Sequence, residues 1–395
     1  MSIPIGETES TKDPQTLLSR NFLLLVLSSI FFYSSMYLIL NYLPGYVYEL
    51  GGTEADIGLV TGALVLSSLV TRPFVGWIVD QIGGKKVLLA GNITFVFAPL
   101  LYLYPVSVSG LLPARIFLGL GLALFTTAGL TIVFDLSDST RWGEATGFFL
   151  SAQLLAIAMA PAFGTFIAGK NSLESLVPFV VGIAILSLVF ALLVNISPHI
   201  RPSSQRVRWK LINTSRIIAP SIAVVTIGIG YAAVITFLPI LALHTNLTGS
   251  SLFYFIYALT ALLIRTPAGR ISDRIGRTRV IIPSITLTII GLALVAISSS
   301  YLMLGFAALI YGLGFGATYP VIGAMIADNS PSELRGLTFG FFAGSFDFGL
   351  LIGALLGGMF GQLFGVNSIF MVTAIIIAIG LVCFILLKPS PPNDN

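Results

Sequence analysis

Two copies of one motif, GWIVDQIGGKKV at residues 76–87 and GRISDRIGRTRV at residues 269–280, decide how this chain folds. Each copy carries a glycine, an aspartate and a second glycine at the same places, at a constant offset of 193 residues. The pairs at this offset are Gly76 with Gly269, Asp80 with Asp273, Gly83 with Gly276, Gly119 with Gly312, Gly121 with Gly314 and Asp135 with Asp328. One constant offset over so many segments indicates an internal duplication.

The composition places the chain in a membrane. Of its 395 residues, 56% are hydrophobic and only 9% are charged, which is outside the range of water-soluble domains. The single cysteine, Cys383, and two widely separated histidines cannot form a disulfide framework or a metal cluster, so we predict no cofactor and no metal. Membrane topology accounts for the net charge of +4, and we predict no nucleic-acid partner.

Twelve apolar stretches are long enough to cross about 30 Å of hydrocarbon, which takes about 20 helical residues. They lie at residues 21–43, 56–79, 86–105, 110–135, 145–168, 176–196, 217–243, 251–271, 279–299, 302–327, 337–363 and 366–387. We therefore predict an all-α integral membrane protein with two six-helix halves that insert in the same orientation. The predicted domains are a cytoplasmic tail at 1–20, helical halves at 21–196 and 217–387, a basic cytoplasmic linker at 197–216 and a cytoplasmic tail at 388–395.

Lysine and arginine predict the orientation, because they accumulate on the cytoplasmic side of membrane proteins. With a cytoplasmic N-terminus, eighteen of the twenty basic residues fall in the tails, in cytoplasmic loops or at cytoplasmic helix ends, Arg72 and Arg265 among them. Arg115 and Lys170 are the exceptions. We therefore predict a multi-pass protein of the cell membrane, a monomer in the lipid bilayer with both termini in the cytoplasm.

The repeated motif resembles a signature of the major facilitator superfamily, roughly G-x-x-x-D-x-x-G-[RK]-[RK], in the loop between the second and third helices. Residues 269–279 resemble its second copy, between the eighth and ninth helices. The resemblance covers the whole chain, with twelve spans, a basic central loop and glycine-rich fourth and tenth helices. It implies a secondary transporter that moves a small solute by alternating access, with the substrate site between the halves near mid-membrane. Gly84 departs from the pattern, because an arginine is common there, whereas the second copy keeps Arg277.

The resemblance also implies a conformational latch at the cytoplasmic helix ends. In the family the signature aspartates face a helix start in the other half, which would lie near Gly336 for Asp80 and near Gly143 for Asp273. A carboxylate there gains about 0.3–1 kcal/mol from the helix dipole, and up to about 2 kcal/mol when partly buried. The alternative is that the charged residues only fix topology. The predicted latch comprises Gly76, Asp80, Gly83, Lys85, Lys86, Asp135, Gly269, Asp273, Gly276, Arg277 and Asp328.

Small residues recur at every fourth position of two helices that the same offset relates, Gly349, Gly353, Gly357 and Gly361 in one and Ala156, Ala160, Gly164 and Ala168 in the other. Such strips let helices approach closely in lipid. Because the two strips are symmetric, we expect them at the seam between the halves. Ordinary helix packing is the alternative.

Two charged residues, Asp347 and Arg115, lie inside predicted spans, where a charge is costly and therefore indicates function. We predict that Asp347 couples transport to protons, because burial favours the protonated form of a carboxyl group. Contact with a cationic substrate and a neutral structural carboxyl are the alternatives. Arg115 resembles the arginine of the family's Arg-x-x-x-Gly motif, which implies a part in proton coupling; a structural guanidinium bonded to backbone carbonyls is its alternative.

Polar side chains inside the spans are candidates for the wall of the substrate cavity, since aromatic walls with a few polar groups suit amphipathic ligands. They are Tyr33, Tyr37, Asn41, Gln153, Tyr231, Tyr257, Tyr311 and Tyr319. Packing or placement in the interfacial belt is the alternative for each of them.

These features favour a proton-coupled antiporter. Its predicted function is the export of small molecules, which are hydrophobic or cationic compounds or small metabolites. Ala160-Pro161 followed by Gly164 partly matches a fifth-helix signature of drug:proton antiporters, which favours export. A symporter that imports a sugar or organic acid, and a transport-inactive receptor, are the alternatives. An enzyme is not expected, because the sequence lacks a cluster of His, Asp or Cys at an interface. It also lacks a phosphate-binding Gly-Lys loop, which excludes primary ATP-driven pumping by this chain alone.

Overall fold

Twelve apolar helices run through the chain in the computed structural model, which describes residues 19–104, 107–137, 141–168, 173–196, 215–244, 250–329 and 335–387. The prediction of an all-α protein with twelve spans is confirmed. Most of the predicted tails and of the predicted linker lies outside the described residues.

The first six spans form one half. They are α1 (Arg20–Glu49), α2 (Glu54–Ile82), α3 (Gly84–Phe97, continued by a 3-10 turn at Ala98–Leu103), α4 (Leu112–Leu136, preceded by a 3-10 turn at Val108–Leu111), α5 (Trp142–Ala168) and α6 (Leu173–Leu193).

The last six spans form the other half. They are α7, which joins Ser215–Ala232 through a π-helical turn at Ala233–Phe237 to Leu238–His244, then α8 (Ser250–Ile275), α9 (Arg277–Ala296), α10 (Tyr301–Asp328), α11 (Arg335–Phe364) and α12 (Val366–Leu386). Because the number of spans is even, α1 begins and α12 ends on the same side of the bundle. We call this the terminal side and the opposite one the far side.

The repeated motif ends one helix in each half. Gly83 follows α2 with φ 87° and ψ 148°, and Gly276 follows α8 with φ 98° and ψ 143°. This region of backbone conformation is open almost only to glycine. The two glycines are therefore required by the abrupt turn between consecutive spans.

The start of α2 is fixed by a capping box, which satisfies backbone groups that a helix leaves unpaired. The Asp56 backbone N–H donates to Thr53 Oγ1 at 3.4 Å, and the Thr53 N–H donates to Asp56 Oδ2 at 2.8 Å. This cap sets where α2, the helix that carries Arg72, begins on the far side.

The outer surface of the bundle is apolar. Large aliphatic side chains point away from the protein, such as Leu263 on α8 at 66% exposure and Ile379 on α12 at 59%. A helix satisfies its own backbone hydrogen bonds, so such a surface is stable in hydrocarbon.

The duplication extends to the packing of individual glycines. A side chain on Gly119 would collide with the carbonyl oxygen of Leu64, and one on Gly312 would collide with that of Tyr257. Both the glycines and the carbonyls are related by the offset of 193 residues. The two halves therefore share one internal packing scheme.

The halves meet along two seams, α2 with α11 and α5 with α8. At the far side the α2–α11 seam is closed at backbone level, because a Cβ on Gly58 would overlap the carbonyl oxygen of Ala354. A Cβ on Gly358 would lie 2.6 Å from the carbonyl oxygen of Glu54. Backbones this close leave no room for a solute to pass between α2 and α11 on that side.

Towards the terminal side both seams are open. Gly76 lies on the same face of α2 as Gly58, and Gly340 and Gly344 lie on the facing part of α11. A Cβ on any of them would meet no atom of the described residues within 4 Å. Gly147 on α5 and Gly269 on α8 are equally free. The bundle is therefore closed on the far side and open on the terminal side.

The small-residue strips pack mainly within the halves, contrary to our expectation that they lie at these seams. Gly349 and Gly353 pack on the backbone of α7, the latter with a would-be Cβ 2.6 Å from the carbonyl oxygen of Ile229. Gly164 packs on Tyr42 and Leu38 of α1. These contacts are internal to one half, whereas a Cβ on Gly361 would lie 3.4 Å from Glu54 Cβ on α2 of the other half. Gly58 and Gly358 form the close backbone contact between the halves.

Candidate functional site

A cavity of about 170 Å³ lies between the halves where the closed and open parts of the seams meet. Its wall combines apolar side chains with polar ones from eight helices. The polar wall consists of Tyr33, Tyr37, Thr61, Arg72, Arg115, Thr126, Gln153, Tyr231, Tyr257, Arg265, Tyr319 and Asp347.

An ion pair between the halves crosses this cavity. Arg72 Nη2 on α2 lies 2.7 Å from Asp347 Oδ2 on α11, and Arg72 Nη1 donates to Thr126 Oγ1 on α4 at 3.3 Å. Asp347 is therefore held by the guanidinium of Arg72, and it is not the isolated carboxylate that the sequence suggested.

Arg72 lies deeper in its membrane span than the sequence analysis predicted. The sequence put it at a cytoplasmic helix end, but ten residues of α2 follow it, which is about 15 Å of helix. The same holds for Arg265, which lies ten residues before the end of α8 and lines the cavity. Both arginines are intramembrane charges that we had counted as markers of topology.

Arg265 is the repeat mate of Arg72, at the offset of 193 residues, but its surroundings differ. The position equivalent to Asp347 is Leu154 on α5, so the facing helix offers no carboxylate there. Arg265 Nη1 reaches Ser151 Oγ at 3.5 Å, and its Nε has no hydrogen-bond partner among the described residues. The two arginines thus form one charged pair and one uncompensated charge.

Arg115 lies deep in the wall near the far side. Its side chain is only 1% exposed, and its Nε donates to the backbone carbonyl of Val60 on α2 at 3.0 Å. Its Nη2 has no partner among the described residues. This geometry fits the structural alternative, a guanidinium bonded to a backbone carbonyl.

A hydrogen-bonded tyrosine pair closes the cavity between α1 and α7. Tyr37 Oη and Tyr231 Oη lie 2.8 Å apart, and Gln153 Nε2 on α5 donates to Tyr37 Oη at 2.7 Å. The two tyrosines are 194 residues apart, so nearly equivalent positions of the two halves meet. The π-helical turn at Ala233–Phe237 follows Tyr231, and such turns are frequent at functional sites.

Aromatic rings form the wall on the side of the second half. Phe315 stacks on Tyr231 at 5.1 Å and on Tyr319 at 6.2 Å between ring centroids, and Tyr257 meets it edge-on at 5.9 Å. Tyr311 lies behind this layer, 5.3 Å from the ring of Tyr257, and does not line the cavity. The wall therefore offers ring faces to the apolar part of a solute.

Asn41 is also outside the main cavity. It lines a small adjoining one towards the far side, with Ile157, Pro161 and Tyr254. The remaining predicted wall residues, Tyr33, Tyr37, Gln153, Tyr231, Tyr257 and Tyr319, lie together in the main cavity.

The predicted latch residues lie at the terminal ends of the helices. In the second half Arg277 Nε lies 2.9 Å from Asp328 Oδ2, and Arg277 also pairs with Asp273. These three residues belong to α8, α9 and α10 of one half. The facing side chains near Gly143 and Gly336 lie outside the described residues, as does any contact with them.

The first half carries the equivalent residues at the same ends of its helices. Asp80 is on the last turns of α2, Lys85 and Lys86 begin α3, and Asp135 ends α4.

A sequence signal for Arg72 and Arg265 did exist. Each interrupts an apolar run at least ten residues from a helix end, and the offset of 193 pairs them with each other. The positive-inside count assigned both arginines to the cytoplasmic side, because both lie in the terminal half of their spans. Their position inside the membrane was therefore missed.

The profile of the Major Facilitator Superfamily matches residues 25–264 and 220–395. An uncharacterised MFS-type transporter of Methanocaldococcus jannaschii is 24% identical over 86% of this chain and 91% of its own length. The staphylopine export protein of Staphylococcus aureus is 21% identical over 94% of this chain and 96% of its own.

Solved structures show the same fold. A bacterial homologue of the human lysosomal transporter Spinster, in an inward-facing and unoccupied conformation, superimposes with a TM-score of 0.78. The match covers 95% of this chain and 98% of that chain at 14% identity.

Proposed function

This chain belongs to the Major Facilitator Superfamily, and on that premise we propose that it carries a small solute through its cavity by alternating access, coupled to protons at Asp347. It is a multi-pass membrane transporter and not an enzyme. The observation that carries the proposal is the ion pair between Arg72 and Asp347, which joins the two halves inside the cavity.

The pair links protonation to the contact between the halves. Protonation of Asp347 removes its charge, and with it the attraction that holds α11 to α2 at this level. In a low-dielectric cavity a broken charge pair is costly unless another group compensates the partner that is left. Proton binding, solute binding and movement of the halves therefore act on the same two side chains.

Alternating access requires that the closed and open parts of the seams exchange. In the other state, Gly58 and Ala354 separate on the far side, and the terminal side closes. We propose that Asp80, Asp273 and the charged residues around them hold that closed terminal side, as the latch predicted from the signature motif. Arg72 and Asp347 lie at the boundary of the two parts, where a rocking motion moves them least.

Export by proton antiport is the first candidate for direction. It is supported by the relative from Staphylococcus aureus, whose name describes export, and by the partial antiporter signature at Ala160-Pro161. In this mode a proton on Asp347 and the solute exclude each other, so that each travels in its own direction.

Proton symport of an organic acid is the second candidate. The observation that favours it is the excess of guanidinium groups over carboxylates in the cavity wall. An anionic solute that binds Arg72 in place of Asp347 favours protonation of the carboxyl group, so proton and solute move together. The direction then follows the larger of the two gradients.

Reconstituted vesicles test both candidates. The full chain is placed in liposomes with a trapped pH dye, and movement of ethidium, salicylate and uridine is followed with and without a pH gradient. We expect gradient-driven movement of at least one probe, with proton flux opposite to it in antiport and alongside it in symport. Movement that is the same with and without the gradient, for all three probes, would contradict proton coupling.

Asp347→Asn is the decisive variant. We expect it to lose roughly tenfold or more of gradient-driven transport, because the neutral side chain neither exchanges a proton nor pairs with Arg72, while exchange of solute for solute persists. Glu49→Gln is the matched control, since Glu49 is exposed at the far end of α1 and does not line the cavity. Full gradient-driven transport by Asp347→Asn would reject the role of this residue.

A further inference from the structure

We propose that the cavity binds small organic anions and that Arg265 holds their anionic group. The inference rests on the proposed transport function only in taking this cavity as the place where the solute binds. Its grounds are the charges of the wall, the hydrogen bonding of Arg265 and the asymmetry between the two halves.

The wall carries an excess of positive charge. Among the described residues, three guanidinium groups line the cavity, those of Arg72, Arg115 and Arg265, against one carboxylate, that of Asp347. Asp347 is already taken by Arg72, which leaves two positive charges without a counter-charge. Intramembrane charges are expected to have partners, so a solute with a negative group completes the site.

Arg265 is the arginine best placed for this role. Arg115 is almost fully buried and committed to the carbonyl of Val60, whereas Arg265 is reached from the cavity. A guanidinium presents five N–H donors in a planar fork that matches carboxylate and phosphate oxygens. The only hydrogen bond of Arg265 to a described residue is the long one from Nη1 to Ser151, so its other N–H donors are left without a partner among the described residues.

The comparison of the halves gives an independent argument. At one seam an arginine faces a carboxylate, Arg72 with Asp347, and at the other the arginine is kept while the carboxylate position holds Leu154. An internal ion pair thus occupies one of two equivalent sites, and the other is left for an external anion. The pair at the first seam shows what kind of group fits the second.

The rest of the wall fits an apolar or aromatic body. Tyr257, Phe315 and Tyr319 line the same cavity as Arg265 and present ring faces and edges. A cation would gain from such rings but would be repelled by the two uncompensated guanidinium groups. Of the solute classes left open by the sequence, an organic acid therefore fits better than a cationic compound.

Binding to the purified full chain tests this without any gradient. The probes are benzoate and phenyl phosphate, with benzamide as the neutral and benzylamine as the cationic analogue, measured by calorimetry. We expect at least one anion to bind about tenfold or more tightly than both analogues, because only the anion engages the guanidinium fork. Equal binding of all four probes, or tighter binding of benzylamine, would overturn the proposal.

Variants locate the anion. Arg265→Gln is expected to weaken binding of the preferred anion about tenfold or more, and Arg265→Lys less, since it keeps the charge and loses the fork. Arg270→Gln is the matched control, an exposed arginine on the same helix outside the cavity. Unchanged anion binding by folded Arg265→Gln would overturn the assignment.

Leu154→Asp is a second test variant, and it leaves Arg265 unchanged. It recreates at the second seam the carboxylate that Asp347 provides at the first, and should compete with the anion, whereas Leu154→Asn should not. Anion binding equal in these two variants would contradict the proposal even where Arg265→Gln fails to fold.

The outcomes separate this inference from the proposed function. Selective anion binding without gradient-driven transport would reject proton coupling and keep the anion site. Gradient-driven transport of ethidium or uridine, with no preference for anions in binding, would keep proton coupling and reject the anion site. If both hold, proton symport is the mode, because protonation of Asp347 and binding of an anion each increase the other.

Discussion

At the scale of single residues, Gly83 and Gly276 show what the signature motif requires. Both have positive φ, and a Cβ on Gly276 would meet no atom of the described residues within 4 Å. Glycine is therefore required at these turns because of the backbone conformation. Both glycines end a helix that carries a cavity arginine, so they fix where α2 and α8 stop relative to the site.

We predict that Gly83→Ala and Gly276→Ala each lower the free energy of unfolding by about 1–3 kcal/mol, the cost of a non-glycine residue in this region. Thermal unfolding of the purified protein measures the effect as a lower midpoint. Gly182→Ala is the control, because Gly182 lies within α6 with ordinary φ and no atom within 4 Å of a would-be Cβ. A midpoint unchanged in both variants would show that these turns tolerate a side chain.

Single residues also show the limits of sequence reasoning. Asp347 and Arg115 stand alone in long apolar runs, and the cost of burying charge was enough to select them. Arg72 and Arg265 lie in the terminal halves of their spans. The accumulation of basic residues on the cytoplasmic side therefore accounted for both, although each lies inside the membrane. Their partners could not be predicted, because the pair of Arg72 with Asp347 joins residues 275 positions apart.

At the scale of helices, periodicity identified small residues but not their neighbours. On α11 the strip at Gly349 and Gly353 meets α7, while Ala354 and Gly358, one residue further along, meet α2. One residue turns a helix by about 100°, so adjacent strips face different helices. The sequence shows that α11 is packed closely on more than one side, and only the tertiary arrangement shows which side is the seam.

This arrangement predicts the effect of filling the seam. Gly58→Leu places a side chain where the backbone of Ala354 lies, so the far side cannot close and the state open to the far side is favoured. We expect transport to fall roughly tenfold or more, because alternating access needs both states and a few kcal/mol suffices to suppress one. The rate of probe exchange in vesicles measures it.

Gly182→Leu is the control for Gly58→Leu, since it adds the same side chain to a helix where a would-be Cβ meets no atom within 4 Å. Spin labels or fluorophores on the far ends of α2 and α11 report the conformation directly. Full transport by Gly58→Leu, with an unchanged distance between these labels, would show that the seam does not need backbone contact to close.

At the scale of the whole molecule, the fold followed from two properties of the sequence. Apolar runs of about 20 residues have one stable form in a bilayer, and a constant offset requires two similar halves. The cavity was predicted at the right interface for the same reason. Which side of it is closed could not be predicted, because one sequence must serve both states of a transporter.

The open side and the orientation in the membrane are testable together. In a Cys383→Ser background, Ala343→Cys lies on the cavity wall near Asp347, and Ser107→Cys lies at the far end between α3 and α4. A membrane-impermeant maleimide is added to right-side-out and to inside-out vesicles. With the termini in the cytoplasm, Ala343→Cys should react only in inside-out vesicles and Ser107→Cys only in right-side-out ones.

The two positions separate conformation from orientation, because they lie on opposite sides of the closed seam. If both react in right-side-out vesicles, the cavity opens to the far side, and the contact of Gly58 with Ala354 does not persist in the membrane. If each reacts in the other vesicle type from the one expected, the termini are outside and the positive-inside prediction is wrong, while the closed seam stands. Reaction of Ala343→Cys from both sides requires exchange between the two states, and Gly58→Leu should then suppress its labelling from the terminal side.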